Sequence, residues 1–137
     1  MNSKLLATMA IATGALTMPA ACLQAQDHVP VAPPAYVVAD FKLTDPAGIK
    51  HYGEQVEATF LPFGGRFLVR GGKASPLEGE LLQGRLIVIA FDNAERAQAW
   101  YDSPAYRKLR EIRHRSGTTH MAIVEGVAAS AGTGEKP

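Results

Sequence analysis

Gly64-Gly65-Arg66-Phe67-Leu68-Val69-Arg70-Gly71-Gly72 is the stretch on which the reading of the fold turns. A run rich in apolar residues, Arg66 to Arg70, lies between two glycine pairs, the pattern of a short strand with a turn at either end. Upstream, Leu61-Pro62-Phe63 closes a helix in which Ile49, Tyr52, Val56 and Phe60 share one face. Thr44-Asp45-Pro46 supplies a capping side chain followed by proline at a first helical position. Ahead of that, Ala35 to Leu43 sets Val37, Ala39, Phe41 and Leu43 against Tyr36, Val38, Asp40 and Lys42, the alternation of a first strand.

Downstream, Gly71 to Glu80 is a loop containing Lys73, Pro76 and Gly79, and Leu81 to Phe91 forms a third strand. Asp92 or Asn93 can cap a second helix, whose Ala97, Trp100 and Tyr101 point to the sheet. Ser103-Pro104 interrupts and restarts that helix, and Tyr106, Leu109 and Ile112 carry its apolar stripe onward. Thr118 to Val127 is the last strand. The order is α+β: a ferredoxin-like βαββαβ unit with a four-stranded antiparallel sheet and helices on one face.

Both alternating sets of the third strand are apolar, Leu86, Val88 and Ala90 on one side and Ile87, Ile89 and Phe91 on the other. A sheet with helices on one face and apolar residues on both needs a partner for the second, so the expected state is a homodimer paired sheet to sheet by two-fold symmetry.

The chain has 137 residues, 47% hydrophobic and 20% charged, enough for one domain with a real core. Its N-terminus carries Lys4, an apolar and small-residue run from Leu5 to Met18, a breaker at Pro19 and a small-residue exit to Ala25. Residues 1–25 therefore read as a signal peptide cleaved near Ala25, with a periplasmic or secreted mature protein and no stable membrane span. Cleavage would remove Cys22, the only cysteine, and with it any disulfide or thiolate chemistry. Lipidation at Cys22 is the lesser reading, because Pro19-Ala20-Ala21 lacks the leucine that lipoprotein signals place three positions earlier.

Loss of Lys4 from the 14 basic residues leaves 13 against 13 acidic ones, a balance that argues against a nucleic-acid partner. Residues 26–34 form a proline-rich linker, and 128–137 a small, polar, disordered tail.

The blocks Gly64-Gly65-Arg66, Arg70-Gly71-Gly72, Glu78-Gly79, Ala99-Trp100-Tyr101-Asp102-Ser103-Pro104-Ala105-Tyr106 and Val124-Glu125-Gly126 occur in that order. Together they make Tyr36 to Val127 resemble the bacterial family called domain of unknown function 1330. The resemblance implies a ferredoxin-like monomer pairing into a dimeric α/β barrel, and no established activity. Relatives often carry an acidic residue just before the phenylalanine that ends the third strand, where this chain has Ala90.

Candidate chemistry starts with Arg66 and Arg70, which a regular strand projects to one face, placed to clamp a small anionic ligand. The competing role is ion pairing with Asp40, Glu54, Glu78 or Glu80, or contact across a dimer interface. Tyr101 is a further ligand-binding candidate. Tyr52, Tyr106 and His120 are weak catalytic candidates, as phenol or imidazole proton carriers. Trp100 reads as core, and Arg107, Lys108, Arg110, Arg113 and Arg115 as a solvated helix face. No cofactor is implied, since neither a P-loop nor a dinucleotide fingerprint is present, and no histidine or cysteine spacing marks a metal site.

Three functions fit: binding of a small anionic metabolite, a cofactor-independent enzyme of the isomerase or oxygenase type, or a structural module. The last predicts no ligand-sized cavity.

Overall fold

A computed structural model of the chain describes residues 31–79 and 83–129. The expected signal peptide, most of the linker, most of the tail and the expected start of the third strand lie outside the described residues. The elements are β1 (Ala35–Leu43), α1 (Ile49–Phe60), β2 (Arg66–Arg70), β3 (Arg85–Phe91), α2 (Ala94–Tyr101), α3 (Pro104–Ser116) and β4 (Gly117–Glu125), with a 3-10 turn over Leu61–Phe63. All strand pairs are antiparallel, in the order β2-β3-β1-β4. This is the α+β, ferredoxin-like arrangement that the alternation and capping signals anticipate.

The caps act largely where the sequence puts them. Asn93 Oδ1 accepts from the Arg96 amide at 2.9 Å, and Ser103 Oγ accepts from the Tyr106 amide at 3.3 Å. Asp45 instead holds a turn before α1, its Oδ1 accepting from the Gly48 amide at 3.0 Å, so the helix proper begins at Ile49. Within the described residues β3 runs over Arg85–Phe91, with Gln83 and Gly84 outside it. Just before it Gly84 lies so close to Asp40 and to the backbone of Phe41 that a Cβ would collide with both. The last strand ends at Glu125 rather than Val127.

Val37, Ile89 and Phe91 face the helices and pack against Val56, Phe60, Ala97, Trp100, Tyr106 and Leu109. Trp100 is completely buried, stacked on Phe91 with ring centroids 5.6 Å apart, and its indole N–H donates to Thr59 Oγ1 at 2.9 Å. The role anticipated for it as a core residue holds, because the polar edge of the indole finds a partner inside. The glycine pair before β2 serves this packing. Gly64 takes φ +76° to end the 3-10 turn, and a Cβ at Gly65 would lie within 2.9 Å of Phe60 and Phe91 atoms.

The opposite face of the sheet carries one apolar row through all four strands, Val69, Val88, Val38 and Ala122, fixed by the register of the ladders. No described element covers it.

Candidate functional site

Between the sheet and helices α1 and α3 lies a cavity of about 280 Å³. Its floor is strand residues Val37, Ile87 and Ile89, with Met121 from β4, and α1 contributes Tyr52 and Val56. Among the described residues, four cations line it, Lys50, Arg70, Arg85 and Arg113, and no carboxylate does. Lys50, Arg70 and Arg85 are exposed and mark the mouth, whereas Arg113 is only 4% exposed.

The reading of the α3 cations as a solvated face therefore does not extend to Arg113. The buried positions of this helix are Tyr106, Leu109, Arg113 and Ser116. Their spacings of three, four and three are those of an inward stripe, and Arg113 stands on it. That spacing was the available signal, and residue type overrode it. Among the described residues no acid lies at ion-pair distance from Arg113. Its Nη2 meets His114 Nε2 at 3.2 Å, while its Nε is closed to solvent without a hydrogen-bond partner.

Two phenols adjoin this guanidinium. Burial pushes the Tyr52 phenol up, and the neighbouring Tyr106 raises it further while Arg113 draws it down. Burial likewise raises Tyr106, against the pull of Arg113. The Tyr106 hydroxyl faces the Tyr52 phenol from the core and is sealed from solvent. Thr119 Oγ1, on the β4 wall of the cavity, is likewise sealed.

The two strand arginines separate. A bulge between Phe67 and Val69 changes the alternation of β2, so Arg66 pairs in register with Ala90 and Arg70 with Ile87. Ala90 and Ile87 lie on opposite faces, which corrects the expectation of a shared one. Arg70 stands at the cavity mouth, donating to the Gly53 carbonyl at 2.7 Å and pairing with Glu57 at 3.4 Å, its guanidinium 4.7 Å from the Phe67 ring centroid. Glu57 is none of the four acids the sequence suggested.

Arg66 is on the open face. His120 is there too, exposed and in register opposite Asp40, so neither belongs to the cavity. Ala90 is buried on that side as well, which keeps the acidic position suggested by the family resemblance out of the cavity. Tyr101 lines a second cavity of about 320 Å³, beneath α2, that shares Val37 and Met121 with the first. The Arg110 guanidinium lies 4.8 Å from the Tyr101 ring centroid. Among the described residues no group of three or more His, Cys, Asp or Glu is placed to hold a metal ion, and no helix is long and apolar enough to cross a membrane.

A family model described as a domain of unknown function, DUF1330, matches residues 34–127. The chain belongs to the DUF1330 family. No curated protein matches this DUF1330 member. Among solved structures it is similar to a protein of unknown function from Rhodopseudomonas palustris, at 14% identity and TM-score 0.56 over 72% of this chain and 86% of that one. A hypothetical Arabidopsis thaliana protein matches at 15% identity and TM-score 0.51, over 74% of this chain and 94% of that one. SnoaB, a cofactor-independent oxygenase from Streptomyces nogalater, is similar at 13% identity and TM-score 0.49, over 74% of this chain and 100% of that one. At such identities these likenesses to the DUF1330 chain concern the fold alone.

Proposed function

We propose that this DUF1330 member binds a small organic anion in the cavity between its sheet and helices α1 and α3, and that it does so as an exported homodimer. Arg113 carries the reading. A guanidinium cannot shed its proton, and one removed from water without a counter-charge is destabilised by several kcal/mol, a deficit that a bound anion removes. Lys50, Arg70 and Arg85 at the mouth add a field that draws anions toward the same opening.

The phenols are poorly suited to act as general bases. Raised by burial, Tyr52 and Tyr106 stay protonated near neutrality and so donate hydrogen bonds rather than act as bases. His120 lies across the sheet from them. A cavity of about 280 Å³ also departs from what a purely structural module predicts.

Pairing is supported by the row Val69, Val88, Val38 and Ala122 on the open face, and by Leu68 and Val124, which are 51% and 48% exposed. A second copy offers the same apolar row, and a two-fold axis lays one against the other. Export rests on the sequence of residues 1–25 alone.

Native mass spectrometry of the protein expressed with its full N-terminus tests all three parts. A dimer of chains beginning at Gln26 with a retained small anion is expected. A monomer overturns the pairing, an uncut N-terminus the export, and a ligand-free species that stays empty in a screen of organic acids the binding.

A further inference from the structure

The interior of the cavity has room for one negative charge. Arg113 is the buried cation among the lining residues; of the exposed ones at the mouth, Lys50 and Arg70 already face Glu54 at 3.8 Å and Glu57 at 3.4 Å. A ligand carrying a second charge would have to leave it at the solvent edge, where the local acids compete for the same cations.

Unpartnered polar atoms on two of the lining residues bear on the head group. Arg113 and Thr119 line the cavity, Arg113 Nε and Thr119 Oγ1 have no protein partner among the described residues, and each can donate. Their common requirement is an acceptor. An ionised carboxylate is acceptor-only, with two oxygens, and its plane fits the guanidinium fork. A phosphate monoester near neutrality carries more charge than one guanidinium balances.

The remaining wall is hydrocarbon: Val37, Ile49, Val56, Ile87, Ile89 and Met121 present no polar side-chain group to a hydroxylated or amino-substituted body, which would be buried unsatisfied. An apolar cavity of roughly 150 Å³ holds one benzene ring. The volume of about 280 Å³ here corresponds to two rings or a hydrocarbon chain of equal bulk.

We infer that the ligand is an apolar monocarboxylic acid, its carboxylate seated on Arg113 beside Tyr52 and its hydrocarbon body lying over Ile87, Ile89 and Met121. This deepens the binding reading above and rests on it.

Titration calorimetry of the full chain with decanoate, decan-1-ol, decanedioate and inorganic phosphate tests it. Decanoate is expected to bind at least about tenfold more tightly than the other three, and Arg113→Met to erase the margin over decan-1-ol. Tyr52→Phe, which keeps the volume and removes one donor, should shrink that margin severalfold, and the four wild-type titrations stand even if the Arg113 variant does not fold. Equal binding of decanoate and decan-1-ol overturns the head-group assignment. Preference for decanedioate or phosphate overturns the monocarboxylate class yet leaves an anion site standing. If none of the four binds, this inference falls, and the broader reading falls with it only when the organic-acid screen is also blank.

Discussion

Arg66 and Arg70 lie four residues apart on one strand and face opposite sides of the sheet, because the bulge between Phe67 and Val69 lets β2 gain a residue on β3. Their substitution should therefore have separable effects. Arg66→Ala is expected to leave calorimetric affinity for a cavity probe such as decanoate unchanged. Arg70→Ala should weaken that affinity and reduce its dependence on salt. Both arginines are exposed, so urea melts should shift by no more than about 1 kcal/mol in either variant.

Arg113→Met exchanges a buried, unpaired charge for an apolar side chain of similar length. If the guanidinium serves a ligand rather than the fold, the ligand-free variant should be as stable as the wild type or more so, by up to roughly 4 kcal/mol. Denaturant unfolding of the two proteins checks this. A clear loss of stability would mean that Arg113 is a structural member of the core.

Tyr52 and Tyr106 tie stability to alkaline pH. Both phenols are raised above the ordinary value of 10.0, first by burial. Above that pH the unfolded chain has lost protons that the native chain keeps. The stability owed to the protonated phenols is thus complete below pH 10.0 and declines as pH rises through the native values, by about 1.4 kcal/mol per pH unit for each phenol involved. Urea melts taken across this range should show that slope, flattened in Tyr52→Phe and in Tyr106→Phe.

Val88 sits in the middle of the apolar row on the open face, in register with Val69 and Val38. Val88→Glu should convert a dimer to a folded monomer, measured by light scattering coupled to size exclusion, with circular dichroism unchanged. Dimer retained at low micromolar concentration would place the pairing surface elsewhere.

Most of the fold was legible because local signals and burial agree: alternation in β1, Asn93 and Ser103 as caps, Gly64 ending a turn. The site was less so. Alternation assumes an unbroken strand, and nothing in the sequence Arg66 to Arg70 announces that the ladder slips at Leu68. Arg113 was legible in position, four residues after Leu109 and seven after Tyr106, but an arginine on an inward stripe is so costly that residue type argues against it until the cavity beside it is seen. His120 alternates correctly in β4; only the helices' choice of the other face removes it from the site.

β3 runs through the middle of all this. Ile87 and Ile89 border the cavity, while Leu86, Val88 and Ala90 look the other way. If, as proposed, a ligand fills one side and a second copy covers the other, neither parity of this strand is free to drift toward polar residues. Every position from Leu86 to Phe91 should then rank among the least substitutable in the chain under a saturation mutagenesis screen for folded, ligand-competent protein, whereas Arg66 on the edge strand β2 should accept change.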